Sequence, residues 1–219
     1  MFVFATNGQI VPKNPLESNI LSFLKKWQAG STTDVLPIPS LKTVKIPPVE
    51  YYYEGRGLKL DYSIGEMLLI GLDRFTIENI AGSVKALEVS LTLRFPVLTL
   101  ASESYKIKGW AYYLYPLRGS GRMQLIFRDS VITAKARFGK TKDAGTTMQN
   151  FLLTFDVKKI EATLENSFWP INRILNSEGV EILEGYRGTI AEALRSYVVP
   201  TVNDYLAKVP YAQFLQIAS

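Results

Sequence analysis

The stretch from Gly65 to Gly139 alternates apolar and polar residues along several segments, and that pattern restricts the fold more than any other feature of the chain. Its clearest segment sets Leu87, Val89, Leu91, Leu93 and Phe95 on one face and Glu88, Ser90, Thr92 and Arg94 on the other. A period of two sends successive side chains to opposite sides of a sheet. One side therefore seeks apolar neighbours and the other faces water. Many such strands with no chemistry on their wet side describe an enclosure for something apolar rather than a catalytic cleft.

The chain has 219 residues, 47% of them hydrophobic and 12% aromatic, enough for one domain with a large core. No apolar run reaches the roughly 18 to 20 residues needed to cross a bilayer. The opening MFVFATNGQIVPK has no basic region and too short an apolar part for a signal peptide. The expectation is an intracellular chain or a mature form whose presequence is gone. Histidine and cysteine are both absent. That removes the Ser-His-Asp arrangement, thiol nucleophiles and the preferred ligands of zinc and copper. The net charge of +5 is scattered, in pairs such as Lys25-Lys26 and Lys158-Lys159. It forms no basic stripe with interleaved aromatics, so nucleic acid is not an expected partner.

Asn14-Pro15 opens a helix, with Asn as cap and Pro at the first helical position. Leu16, Ile20, Phe23, Leu24 and Trp27 recur at helical spacing and predict a helix over 15–29. Residues 31–49 carry four prolines and predict an extended surface segment leading into the sheet. Strands follow at 58–64, at 67–80 with an interruption at Gly71, and at 84–95. Tyr105, Ile107, Gly109, Ala111, Tyr113 and Tyr115 form another alternation, and Pro116 to Gly121 then reads as a bend. Further strands are expected around Met123–Phe127, Ile132–Phe138, Phe151–Val157 and 159–166, with a polar turn at Lys140–Thr147. Short connections imply an antiparallel sheet. From about residue 178 the period becomes helical, through Ile182, Leu183, Tyr186, Ile190, Leu194, Tyr197, Val198, Thr201, Val202, Tyr205 and Leu206. A single helix of that length spans roughly 40 Å, kinked at Pro200 and weakened at Gly185 and Gly188. The expected fold is α+β: one highly curved antiparallel sheet wrapped around a long C-terminal helix, in a single domain over residues 1–219.

Several ordered motifs resemble the insect juvenile hormone-binding protein and takeout family. They are the extended segment Leu36 to Pro47, Gly71-Leu72-Asp73 with Arg74-Phe75-Thr76-Ile77, and Phe95-Pro96-Val97-Leu98 followed by Tyr105-Lys106-Ile107-Lys108-Gly109. Pro116-Leu117-Arg118-Gly119-Ser120-Gly121, Phe155-Asp156-Val157 and the tail Tyr205 to Pro210 complete the set. Each motif is weak alone, and their order and spacing from Asn14 to Ala218 make the match specific. The resemblance implies a one-module relative of the tubular lipid-binding proteins, with an internal hydrophobic tunnel. It implies a carrier of one long apolar molecule, secreted into haemolymph, cuticle or sensory fluid. The chain departs from the family in lacking a signal peptide and the disulfide near the first helix, a crosslink worth about 2–4 kcal/mol. It is therefore more similar to the takeout branch.

Glycine pairs at Gly55-x-Gly57 and Gly119-x-Gly121 precede no helix and are expected at sheet bends, not at phosphate. Asp61, Glu66, Asp73, Glu78 and Glu88 fall mostly on polar faces. The residues expected to line the interior are Phe23, Trp27, Leu69, Leu87, Val89, Leu91, Leu93, Tyr105, Tyr113, Tyr115, Met123, Leu125, Phe127, Phe138, Phe151, Leu153, Phe155, Ile190, Leu194, Tyr197, Val198 and Thr201. The hydroxyls of Tyr113, Tyr115, Tyr197 and Thr201 are expected to orient the guest. No enzyme activity, catalytic cofactor or metal is expected. The partner is a hydrophobic small molecule: a terpenoid, fatty acid, quinone or carotenoid. Transient contact with a membrane or receptor, and a monomer or weak oligomer, complete this reading. The alternatives are a lipid-transfer module working at membrane surfaces, a hydrolase or isomerase of the same ligand, and an interaction domain with a filled core.

Overall fold

A computed structural model describes residues 10–30, 40–55, 57–111 and 114–218. Tyr113 and residues 31–39 of the expected extended segment lie outside them, as does the side chain of Tyr197.

Helix α1 (Pro15–Gln28) starts where expected, with the Asn14 side chain accepting from the Glu17 N–H at 3.0 Å. Strands β1 (Thr43–Ile46), β2 (Val49–Gly55), β3 (Leu58–Ile64) and β4 (Met67–Ile70) follow. A 3₁₀ turn (Leu72–Arg74) leads to β5 (Thr76–Ser83). Three long strands come next: β6 (Glu88–Ala111), β7 (Tyr115–Lys140) and β8 (Thr146–Leu164). Helices α2 (Pro170–Gly185), α3 (Arg187–Leu206) and α4 (Tyr211–Ala218) close the chain. All eight strands form one antiparallel sheet, with β6 paired to β3, β4 and β5 along one side and to β7 along the other. The Pro47-Pro48 pair parts β1 from β2, so β1 joins the sheet against β4 and Leu41 is buried beside it. The chain thus enters the sheet earlier than expected, at Thr43, while Lys42, Thr43, Lys45 and Pro47 to Val49 are exposed.

A straight strand as long as β7, 26 residues, would span roughly 85 Å, about twice the roughly 45 Å diameter of a compact chain of this length. The long strands instead step together at one level. Positions that share the face of the buried Phe95 and Leu98 run 89, 91, 93, 95 and then 98, 100, 102 on β6. They run 130, 132, 134, 136 and then 127, 125, 123 on β7, and 157, 155, 153, 151 and then 160, 162, 164 on β8. Phe95, Ser130 and Val157 pair on one side of the step, and Leu98, Phe127 and Ile160 on the other. Pro96 and Asp129, whose φ is +52°, lie between. On the outer side Arg94 bridges Glu78 and Asp129, and Lys158 also binds Asp129. The polar pairs Arg128-Asp129 and Lys158-Lys159 thus mark the step within two continuous strands, correcting the expectation of four shorter ones.

The expected bend at Pro116–Gly121 is also corrected. That segment lies within β7, and Pro116 pairs with Trp110. Its glycines serve close approach: a Cβ on Gly119 would stand 2.5 Å from the Tyr105 hydroxyl. Leu87 is a turn residue with φ +49° rather than the first residue of β6.

Two free edges of the sheet, on β5 and β8, are sealed by helices. On β5, the Gly82 N–H donates to Glu17 Oε1 at 2.9 Å, and Asn14 Nδ2 donates to the Gly82 carbonyl at 2.9 Å. On β8, Asn172 binds the N–H and C=O of Leu164 at 2.8 and 3.0 Å, and Asn176 binds those of Ala162 at 3.0 and 2.8 Å. Asn203 of α3 does the same for Met148 at 2.7 and 3.3 Å. Each side-chain amide stands in for one residue of a missing strand, and an edge so covered cannot pair with another chain.

The C-terminal helix begins at Pro170, not near 178, and breaks at Gly185–Tyr186, while α3 runs on through Pro200. The earlier start is explained by Asn172 and Asn176, weak helix formers placed one turn apart to face the β8 edge. The break falls at Gly185, a poor helix former in open space.

Glu17 is buried, yet its carboxyl is held below the usual carboxylate range by the backbone N–H groups of Lys13 (2.7 Å) and Gly82. A carboxylate depressed in the folded state contributes stability that is full above the unfolded value, about pH 4.3. That stability is lost as pH falls through the lower folded value. The melting temperature of the wild type should therefore drop more steeply between about pH 5 and pH 3 than that of Glu17→Gln. Parallel curves would show that the charge on Glu17 contributes nothing.

Candidate functional site

The inner face of β5 to β8 is built from three rows of cross-strand neighbours. Gly82, Val89, Ala136 and Phe151 form one, Ile80, Leu91, Ala134 and Leu153 the next, and Ile77, Leu93, Ile132 and Phe155 the third. The alternation read in the sequence places these side chains on one side because partners in an antiparallel pair share a face. The opposite rows are polar, such as Thr92, Thr133 and Thr154.

This wall is packed solid only in places. One buried cluster gathers Leu24, Leu41, Phe75, Ile80, Phe95 and Leu98, with Phe23, Trp27, Leu69, Leu91, Leu93 and Phe127 against it. A second holds Met67, Tyr105, Met123, Ala162, Leu164 and Ile171 under α2, with Leu125 alongside. There the Tyr105 hydroxyl, its pKa raised by burial, donates to the Glu165 carbonyl at 2.5 Å. The third joins Leu16 and Leu87 to Phe138, Tyr211 and Phe214 at the α1–α4 end. Among the described residues Phe151, Leu153 and Phe155 of β8 belong to none of the three and are half-buried. The same holds for Ile190, Val198 and Thr201 of α3, which packs along β8, while Leu194 is 41% exposed. The half-buried residues of β8 and α3, with small Ala134 and Ala136 of β7 beside them, make up the candidate trough.

Tyr115 stands apart. It opens β7 at the end of the sheet, 59% exposed, and does not face the trough. The largest of the described concavities, about 670 Å³, is lined by Gly82, Val89, Ala136 and Phe151 of the first inner row, by Glu17 of α1 and by Arg195 of α3. It crosses four strands between the outward rows Ala81–Ser90–Lys135–Leu152 and Ser83–Glu88–Arg137–Asn150.

Sequence reasoning missed three polar groups that shape the interior. Ser130 is buried between Phe95 and Val157 with its hydroxyl unpartnered. Arg187, the first residue of α3, crosses the β8 edge: Nη2 binds Asp156 at 2.8 Å, and the guanidinium lies 5.9 Å from the centre of the Phe155 ring. Its Nε is buried and unpartnered. Tyr62 of β3 has its pKa raised by burial and by Tyr51 and Tyr186. The Gly185-Tyr186-Arg187 interruption was the available signal for Arg187. Nothing local in the sequence marks Ser130.

A long stepped antiparallel sheet with one apolar wall and helices along its β5 and β8 edges defines an α+β fold. Residues 15–216 match the haemolymph juvenile hormone binding protein (JHBP) family, and the chain belongs to it. Its structure is similar to the crystal structure of Epiphyas postvittana Takeout 1, with a TM-score of 0.65 and 19% identity over 88% of this chain and 92% of that one. A likeness to lipopolysaccharide binding protein, with a TM-score of 0.42 and 11% identity over 89% of this chain and 40% of that one, carries no argument. Among curated proteins none matches. No helix of the described residues is long and apolar enough to cross a membrane.

Proposed function

We propose that the chain is a soluble, secreted carrier that holds one long hydrophobic small molecule between the β6–β8 wall and α3. The observation that carries this reading is the row Phe151, Leu153 and Phe155, apolar, inward-facing and outside every packed cluster. Protein interiors leave few voids, so a guest is what completes such a wall. Membership of a family named for juvenile hormone binding in haemolymph supports both cargo class and compartment. A terpenoid, fatty acid, quinone or carotenoid fits a long narrow trough, and its burial gains about 25 cal/mol per Å² of apolar surface. The unpartnered Arg187 Nε–H beside Phe155 favours a guest with an acceptor oxygen at one end, an ester, ketone or carboxylate. Trough residues then do no chemistry beyond holding and orienting.

Mass spectrometry of an organic extract from natively purified protein, with a visible spectrum for a polyene, identifies a retained guest. Adding a long isoprenoid ester or fatty acid at about a hundred times Kd should raise stability by about 2.7 kcal/mol. In a chain of this size that is a rise of about 5–10 °C in melting temperature. An extract free of lipid, together with no shift for any of these classes, would overturn the reading.

A further inference from the structure

The end of the sheet formed by the β6–β7 hairpin exposes large apolar side chains that the trough does not use. Trp110 is 51% exposed, Leu114 76% and Tyr115 59%. Trp169, 67% exposed, belongs to the same end, because the neighbouring Phe168 N–H donates to the Arg118 carbonyl at 2.8 Å, only three residues along β7 from Tyr115. Single exposed apolar residues are ordinary. Here two of the chain's three tryptophans are exposed at one end, while the third, Trp27, packs on the core.

The charge beside them on β6 and β7 is positive. Between Tyr105 and Ser120 the charged residues are Lys106, Lys108 and Arg118, with no carboxylate. Lys106 and Lys108 alternate with Trp110 on one face of β6, and Arg118 pairs across from Lys108. On the adjoining β2–β3 side Asp61 pairs across from Lys108, Glu50 shares a concavity with Lys106 and Lys108, and Glu54 is bound by Tyr52 and by Lys59 at 3.6 Å, which leaves Arg118 and the exposed apolar tip beyond their reach in sequence register. Indole and phenol rings with an aliphatic tip prefer the boundary between headgroups and acyl chains, and a cationic flank is complementary to anionic headgroups.

We infer that this end of the molecule docks on the surface of a phospholipid bilayer, Trp110 and Leu114 entering the headgroup boundary and Lys106, Lys108 and Arg118 lying against lipid phosphates and carboxylates. The proposal goes beyond the carrier reading, since docking on vesicles is measured without any carried ligand.

Flotation of the full chain with vesicles of phosphatidylcholine alone, and with about a third phosphatidylserine, tests it. The wild type should float with the anionic vesicles, with a blue shift of tryptophan emission, and should release as salt rises from about 0.05 to 0.5 M. The exposed-site variant Trp110→Ser/Leu114→Ser should lose roughly ten- to a hundredfold in partitioning, with unchanged urea stability and unchanged binding of a soluble lipid. Lys106→Glu/Lys108→Glu should lose the salt-dependent part alone. Absence of wild-type flotation on both vesicles overturns the proposal, as does equal flotation of the serine variant. A concentration-dependent dimer that the serine variant abolishes, seen by sedimentation without vesicle binding, also overturns it in favour of a second copy on this face.

Discussion

Replacing Asn172 and Asn176 together with alanine is expected to lower the unfolding free energy by about 2–4 kcal/mol, read from urea denaturation. Each amide satisfies one donor and one acceptor of β8, on Leu164 and Ala162, and both of those residues are buried. Truncation leaves four backbone groups to find water at a helix–sheet junction packed by Ile171. A buried polar group left unpaired costs about 1–3 kcal/mol, and entry of water at the more exposed Asn176 lowers the sum. Alanine itself is a better helix former than asparagine, which offsets roughly 1 kcal/mol over the two sites. Asn172→Asp separates hydrogen bonding from shape. It keeps an acceptor for the Leu164 N–H but turns a carboxylate oxygen toward the Leu164 carbonyl, so at neutral pH it should destabilise at least as much as Asn172→Ala. A double variant within about 0.5 kcal/mol of the wild type would mean that water seals the edge equally well.

Those asparagines show where reading the chain stops. The inner rows were legible because a strand declares its faces locally: Val89, Leu91 and Leu93 differ from Ser90 and Thr92 whatever they touch. The start of α1 was legible for the same reason, since Asn14 caps its own helix. Asn172 and Asn176 instead answer to the backbone of β8, and within their own segment they only lower helix propensity. The step at Pro96, Asp129 and Lys158 was hidden in the same way. Arg128-Asp129 and Lys158-Lys159 look like turn residues until Arg94 is seen to hold Asp129, which also binds Lys158, and Glu161 to hold Arg128 and Lys159. Gly119 is a spacer for Tyr105 rather than a bend, which depends on a contact across the sheet. Among the trough residues, β8 followed from periodicity. The position of α3 beside it depended on a helix break that Gly185 made available but did not specify.

Ala134→Phe is expected to cut affinity for a long apolar ligand roughly a hundredfold while leaving the empty protein within about 1 kcal/mol of the wild type. Ala134 lies between Leu91 and Leu153 in the middle row of the wall. A benzyl group there takes over roughly 100 Å² of contact that the guest would otherwise make, about 2.5 kcal/mol, which is close to two decades in Kd. The two arrangements of the interior respond differently. Where side chains from α3 already fill the space, the added ring forces them off their rotamers, at about 1–3 kcal/mol or more, and no ligand competes for the site. Where the space belongs to a guest, the ring enters it, covers Leu91 and Leu153 and costs the folded chain little. Thr133→Phe is the control for face, since Thr133 pairs with Thr92 and Thr154 on the polar side and its ring should leave affinity unchanged. Isothermal titration with one long-chain ligand, beside urea melts of both variants, separates these outcomes. A large loss of stability in Ala134→Phe with no ligand bound by the wild type would show a wall closed by protein, and an equal loss of affinity in both variants would show that the ligand does not lie against this wall.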